Sequence, residues 1–438
     1  MSKRLTRFLS LFAALTLVLA ACGDGGGTAT TEAPDTGTGD TTAPAEDALG
    51  TVTIGDGEAI QIRSLNAISG DTATLGIPNQ NAVQMAIADY GPIKDHEVDM
   101  GTGLDDLCSN EGGQAAAQTI VADEQVLGVI GTSCSGAATA ASPLISDAGM
   151  AMISPSNTSP ALTSDLKGTA GTDYHPGYYR IAHNDLFQGQ AVAEFVFNEL
   201  GLTTAAAIHD GDPYTQGLAQ AFSDAFEGLG GTMTGFTAVN KGDTDMSGVL
   251  TEVAAGSPEA VYFPIFPPEG NFIAQQVGGV EGLADTTLLA ADGMLVENFL
   301  EIPESEGIYF SGPSLQFGEN ANDVTSVSAT DFLATYEEEF GEAPTAAFWA
   351  HAYDSTILLL SAIDEVAVDN GDGTLTVGRQ ALRDAITAKT FNGLTGLVAC
   401  DEFGDCGAQE IQIVSHPDSS VTDSTQEEVV YQFKGEVG

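Results

Sequence analysis

Positive charge is what this chain has least of: 12 Lys and Arg stand against 62 Asp and Glu in 438 residues, a formal charge of −50. So acidic a surface repels phosphate backbones and anionic headgroups, which excludes nucleic acid and a charge-bound lipid surface as partners of the folded body. Long apolar runs are also scarce. Beyond the first 21 residues none reaches the about 18 residues that suggest a membrane helix, so no second membrane anchor is expected. The six histidines (His96, His175, His183, His209, His351, His416) are scattered, none in an H-E-x-x-H arrangement, and no C-x-x-C pair occurs. Neither a metal nor a cofactor is expected. Catalytic signatures are equally thin: in Gly131-Thr132-Ser133-Cys134-Ser135 a serine stands where the nucleophile elbow G-x-S-x-G needs its last glycine. The chain does not read as an enzyme, and a secreted hydrolase is the alternative from that class.

What the chain does have begins at its N-terminus. Lys3, Arg4 and Arg7 precede an apolar run over residues 8–19, and the small Ala20 and Ala21 follow, which reads as a secretory signal peptide over residues 1–21. Leu19-Ala20-Ala21-Cys22 resembles the lipobox of bacterial lipoproteins, in which the thiol receives a diacylglyceryl group and cleavage leaves the lipidated cysteine as the new N-terminus. Two acyl chains, at about 0.8 kcal/mol per buried methylene, give stable anchoring. The expected location is therefore the outer face of the cytoplasmic membrane. Residues 23–50 are almost entirely Gly, Thr, Ala, Pro, Asp and Glu, too polar to bury a core, so residues 22–50 read as a lipidated cysteine on a flexible tether. Losing Lys3, Arg4 and Arg7 takes the formal charge to about −53.

With Cys22 assigned to lipid, four cysteines remain in an oxidising compartment, and three pairings are possible. The pairing favoured is Cys108 with Cys134 and Cys400 with Cys406. The second pair brackets Asp401-Glu402-Phe403-Gly404-Asp405, a turn-like stretch able to bring its ends together.

From residue 51 onwards short apolar runs alternate with amphipathic stretches. Residues 126–131, 150–153, 204–208, 260–266, 286–290 and 307–311 read as buried strands. Leu218, Phe222, Ala225, Phe226 and Leu229 form one face of a helix that stops at Gly230-Gly231, and Val192, Phe195, Val196 and Leu200 form another that stops at Gly201. Such alternation predicts an α/β protein with parallel sheets covered on both faces. Ligands then bind beyond the carboxyl ends of the strands. Those positions are polar here: Thr132-Ser133-Cys134-Ser135, Ser154-Pro155-Ser156-Asn157-Thr158, residues 210–214, and Asp292-Gly293. Hydroxyl groups at helix starts suit an anion such as a carboxylate, although single Ser and Thr residues there are commonly caps.

In these residues the chain resembles the type I periplasmic binding proteins, specifically the leucine/isoleucine/valine-binding family that serves ABC transporters. The resemblance is carried from about residue 60 to 407 by Ala67-Ile68-Ser69-Gly70 with Gly76, Asp105-Asp106-Leu107-Cys108, Ile130-Gly131-Thr132-Ser133-Cys134-Ser135, Ile153-Ser154-Pro155-Ser156-Asn157-Thr158-Ser159-Pro160 and Tyr214-Thr215-Gln216-Gly217. It implies two Rossmann-like lobes joined by three crossover hinge strands: residues 51–182 with 311–393, and 183–310 with 394–438. It implies a ligand α-carboxylate held by Ser135 and Thr158 with groups near Ser156 and Asn157, and an α-ammonium paired with Asp292. Tyr214 would close over the ligand, and Phe266 and Leu75 would wall its side chain. Asp292 is shorter, and Leu75 less bulky, than the residues usual there, so a branched-chain amino acid or a related small zwitterion is the ligand class. A bridge between Cys108 and Cys134 matches one known in the family. The implied partners are the amino acid and an ABC permease, with the protein itself a monomer; the alternative role on the same fold is to present ligand to a membrane sensor.

The anchor makes a direct prediction. Cys22→Ser is expected to abolish lipidation and move the protein from the detergent phase to soluble or unprocessed forms, as read by phase partitioning and mass spectrometry; unchanged partitioning contradicts the lipobox.

Overall fold

The computed structural model describes residues 47–435; the signal segment, Cys22 and nearly all of the tether lie outside the described residues. Contacts with the folded body begin slightly earlier than the composition suggests. Asp47 accepts hydrogen bonds from the backbone N–H groups of Gln380 and Ala381 at 2.9 and 3.0 Å, and Arg379 N–H donates to Gly50 O at 3.0 Å. The last residues assigned to the tether thus cap the helix Arg379–Ala388, because one carboxylate satisfies two N–H groups that a helix start leaves unpaired.

Two sheets organise the rest. The first runs in the order Val98–Asp99, Ile60–Asn66, Val126–Gly131, Ala151–Ser154, Tyr178–Arg180, all parallel. Its central strand Val126–Gly131 is buried along its whole length, the signature of a parallel strand covered on both faces. The helices Ala73–Tyr90 and Trp349–Val366 pack together, as do Asn110–Val121 and Ser135–Asp147. Trp349 begins the most enclosed helix and stacks on Phe332 with ring centroids 4.9 Å apart.

The second sheet holds five parallel strands, Thr232–Ala238, Thr204–His209, Ala260–Tyr262, Thr287–Ala291 and Tyr309–Pro313, extended by the antiparallel Glu410–Ser415 and Glu428–Lys434. Two strands differ from the sequence reading. The apolar run 260–266 pairs only as far as Tyr262, since Ile265 N–H turns back to Phe263 O at 2.9 Å and takes Phe266 out of the sheet. The strand expected at 307–311 lies at 309–313, because Gly307 adopts a φ of +83° that a strand does not accept.

The chain passes between the sheets three times, and two passages lie later than residues 310/311 and 393/394. Gly312 and Pro313 still pair with Gln412 and Ile411 in the second sheet. The hairpin Thr390–Gly393 with Gly396–Ala399 belongs with the first core, where Leu394 and Thr395 N–H groups donate to the buried Asp354 at 2.9 and 2.8 Å. The third passage therefore follows Cys406. It lies directly against the first: a β-carbon on Gly407 would sit 1.7 Å from Ile181 O, a distance only glycine avoids. Both disulfides, Cys108–Cys134 and Cys400–Cys406, are formed.

At this junction lies Arg180, wholly buried. Its Nε donates to Asp405; Nη1 donates to Asn157 O and Ser159 O at 3.1 and 2.8 Å, and Nη2 to Thr163 Oγ1 at 2.7 Å. Removing one member of a buried ion pair leaves the other charge uncompensated. Asp405→Ala is expected to cost about 3–5 kcal/mol in urea unfolding, whereas a cost below about 1 kcal/mol would place the pair among exposed ones.

Candidate ligand-binding cleft

The site is built where strands of the two sheets end facing one another. From the first lobe, Val126–Gly131 delivers residues 132–135 and Ala151–Ser154 delivers residues 155–158. These two loops are welded by hydroxyl and amide side chains. Ser154 Oγ donates to Thr132 O at 2.9 Å and accepts from Ser156 and Asn157 N–H, while Ser156 Oγ donates to Ser133 O at 3.0 Å. Ser135 starts the helix Ser135–Asp147 and its Oγ accepts from Ser159 N–H at 3.3 Å. Beneath them the buried Asp106 accepts from Ser133 and Cys108 N–H at 2.7 and 2.8 Å; burial pushes its carboxyl up to about 7.

The second lobe supplies Tyr214 from the first turn of Pro213–Gly228, Phe266 from the turn after Ala260–Tyr262, and Asp292 directly after Thr287–Ala291. Tyr214 and Phe266 rings lie 5.2 Å apart. Asp292 is 3% exposed, and its Oδ1 accepts from Gln188 Nε2 at 2.6 Å. Burial raises its carboxyl to about 6, against the lowering effect of Gln188 and of the neighbouring Tyr214 hydroxyl.

A narrow cavity of about 10 Å³, room for about one water, lies between these halves, lined by Leu75, Ser133, Ser135, Ser156, Tyr214, Phe266, Asp292 and Phe348. Six of the eight residues proposed from sequence thus share one cavity. Asn157 and Thr158 are not in its lining. For Asn157 the cause is plain: Nδ2 donates to Thr132 O at 3.0 Å, and Oδ1 accepts from Thr132 Oγ1 and Tyr178 OH at 3.1 Å each, so its side chain braces the loop. Thr158 lies just behind, its hydroxyl buried beside the Asp185 carboxylate, which it holds down against the effect of burial. Ser133, Phe348 and Gln188 were missed. Ser133 was visible at a strand end; Phe348 precedes the helix Trp349–Val366 far along the chain, and no local pattern points it at residue 135.

The lobes touch around the cavity. Leu75, Cys134 and Phe348 of the first share an apolar cluster with Tyr214, Phe266 and Met294 of the second, and Ser159 Oγ donates to Pro213 O at 3.3 Å. Chemically the cavity offers hydroxyls and a helix start on one side and a carboxylate on the other. No histidine lines it, and among the described residues no group of acidic, His or Cys side chains is placed to hold a metal.

Two parallel-sheet lobes, three passages and an enclosed polar cavity between strand ends define a two-lobed solute-binding protein of type I topology. The chain belongs to the periplasmic binding protein family, whose model matches residues 59–409. It is 26% identical over 375 residues to the Leu/Ile/Val-binding protein homolog 3 of Brucella melitensis, covering 83% of this chain and 92% of that one. Among solved structures it is similar to the leucine-binding protein LivK of Thermotoga maritima (TM-score 0.72, 25% identity, 86% of this chain and 99% of that one). It also shares its fold with LivJ of Streptococcus pneumoniae solved with isoleucine (TM-score 0.67, 23% identity, 86% and 99%). These relatives are solute-binding proteins, not enzymes.

Because Asp292 is protonated below about pH 6 in the fold but only below about 4 when unfolded, its burial costs nothing at low pH and costs most above about 6. Asp292→Asn, which does not titrate, is expected to gain about 2–3 kcal/mol on wild type between about pH 4 and pH 7. Urea unfolding at both pH values reads this, and parallel profiles would exclude a buried ionised Asp292.

Proposed function

We propose that this protein is the extracytoplasmic, lipid-anchored solute-binding component of an ABC importer, capturing a branched-chain or similarly small amino acid between closing lobes. One observation carries the reading: a single buried cavity faces hydroxyls of one lobe with a carboxylate of the other. A zwitterion taken out of water needs both charges met. Ser135, with backbone groups near Ser156 and Thr158, receives the α-carboxylate, and Asp292 the ammonium. Leu75, Phe266 and Phe348 offer apolar contact to a side chain of modest size. The names of the relatives, Leu/Ile/Val-binding and leucine-binding, support this ligand class. The absence of a membrane-crossing helix among the described residues is compatible with anchoring through Cys22 alone.

Because both lobes contact the ligand, binding favours the shut state. Titration calorimetry with L-leucine, L-isoleucine, L-valine and L-alanine tests the reading, and small-angle scattering should show compaction with whichever binds. Asp292→Ala is expected to weaken the tightest of these by about a hundredfold, the effect of losing a buried charge-assisted hydrogen bond and leaving an ammonium unpaired. Binding within about threefold of wild type would remove Asp292, and with it the amino-acid reading.

A further inference from the structure

Glycine weakens a helix relative to alanine, by about 0.5–1 kcal/mol in its interior. Yet Gly136 stands in the first turn of Ser135–Asp147, with no positive φ to require it. The first lobe does not demand it either: within that lobe the nearest atom to a β-carbon at 136 would be Asn110 Oδ1, at 3.3 Å. The obstacle lies across the lobe boundary. Asp212 Oδ2, from the second lobe, would sit 2.2 Å from that β-carbon.

Asp212 precedes the helix Pro213–Gly228, and its Oδ1 caps that helix by accepting from Tyr214 N–H at 3.0 Å. A cap needs only one oxygen and is at home in water. This carboxylate is 6% exposed, because its second oxygen is turned to the first lobe and seated on Gly136. Lys241 Nζ lies 3.7 Å from that oxygen and donates to Cys108 O of the first lobe at 3.4 Å, so one cation touches both sides of the boundary. Burial raises the Asp212 carboxyl, while Lys241 and the Tyr214 N–H pull it back down. The positive ends of two helices thus meet at one negative group, which favours their approach. Each of these helix starts carries a residue of the cavity, Ser135 on one and Tyr214 on the other. With room in the cavity for about one water, the lobes must part before a solute enters or leaves.

We propose that Asp212 is a positioning residue of the shut state: its carboxylate joins the helix starts of the two lobes across the seat that Gly136 leaves open, and so slows ligand release. The proposal rests on the reading of the cavity as a solute site.

The test is a double-mutant cycle on Gly136→Ala and Asp212→Ser, the serine keeping a cap but lacking the second oxygen. Stopped-flow fluorescence reads the dissociation of L-leucine, and small-angle scattering reads compaction at saturating leucine. Gly136→Ala should release leucine about tenfold faster or more and compact less. Its ligand-free thermal midpoint should hold or rise, since alanine suits the helix itself. Asp212→Ser should speed release by about threefold or more, and adding Gly136→Ala to it should change the rate by less than about twofold. Additive effects, or release from Gly136→Ala within about twofold of wild type, overturn the proposal. A glycine needed only by its own lobe would lower the midpoint and leave the two effects additive, which overturns it as well. A ligand-free arm separates this outcome from the amino-acid reading. Gly136→Cys combined with Asp212→Cys should form a disulfide under mild oxidation, seen by peptide mapping without reduction. If that bridge forms while wild type binds none of the amino acids, the contact stands and the amino-acid reading fails alone. If it forms neither with nor without leucine, the lobes do not meet here and the proposal falls.

Discussion

Much of this molecule depends on where one guanidinium is buried. Arg180 closes the first sheet and, through Asp405, joins the first and third passages between the lobes. Through Asn157 O, Ser159 O and Thr163 Oγ1 it also sets the course of the loop that carries the polar end of the cavity. A charge with no exposure is tolerated only if every donor is met, and here the partners are the site loop and the hinge themselves. Hinge and binding loop are therefore parts of one electrostatic unit.

Two other arginines follow the same logic. Arg379 donates to Val126 O and Glu124 O, and Arg383 to Ser146 O and Met150 O, each pinning a loop or strand end beneath the first sheet. A chain so poor in cations keeps several of them inside, as donors to carbonyls. Its surface is left to Asp and Glu, which favours solubility and leaves no basic patch for an anionic partner. Within the cleft the same imbalance becomes local: Asp292, Asp185 and Asp212 lie near one another with few fixed positive charges. The cavity is polarised by composition as well as by fold, with its acids on the second lobe and its hydroxyls on the first.

The strand ends were legible because parallel strands buried on both faces print as short apolar runs, and the polar residues that follow mark the cleft. Val126–Gly131 and Thr287–Ala291 are cases where run and strand coincide within a residue or so. Where the run outlasts the pairing, as in residues 260–266, apolar character reports burial rather than hydrogen bonding, so Phe266 was correctly judged buried and wrongly judged strand. Ser135, Tyr214 and Asp292 were proposed from position and resemblance together, and they line one cavity. The type of Asn157 suits both a ligand and a scaffold, and its side chain makes three bonds to Thr132 and Tyr178.

The sequence by itself determined the α/β alternation, the order of polar strand ends, the acidic balance and the cysteines available to pair, since each is a local or compositional property. The tertiary structure decided what local patterns do not encode. It brought Phe348 and Leu75 to one cavity from positions far apart in the chain, and placed the second and third passages after Pro313 and Cys406, where strand pairing ends. It also buried the Asp185 carboxylate near Asp292, with the Thr158 hydroxyl beside it. Whether a buried charge is capped or paired depends on which distant groups the fold places within a few ångströms of it, and no spacing along the chain records that distance.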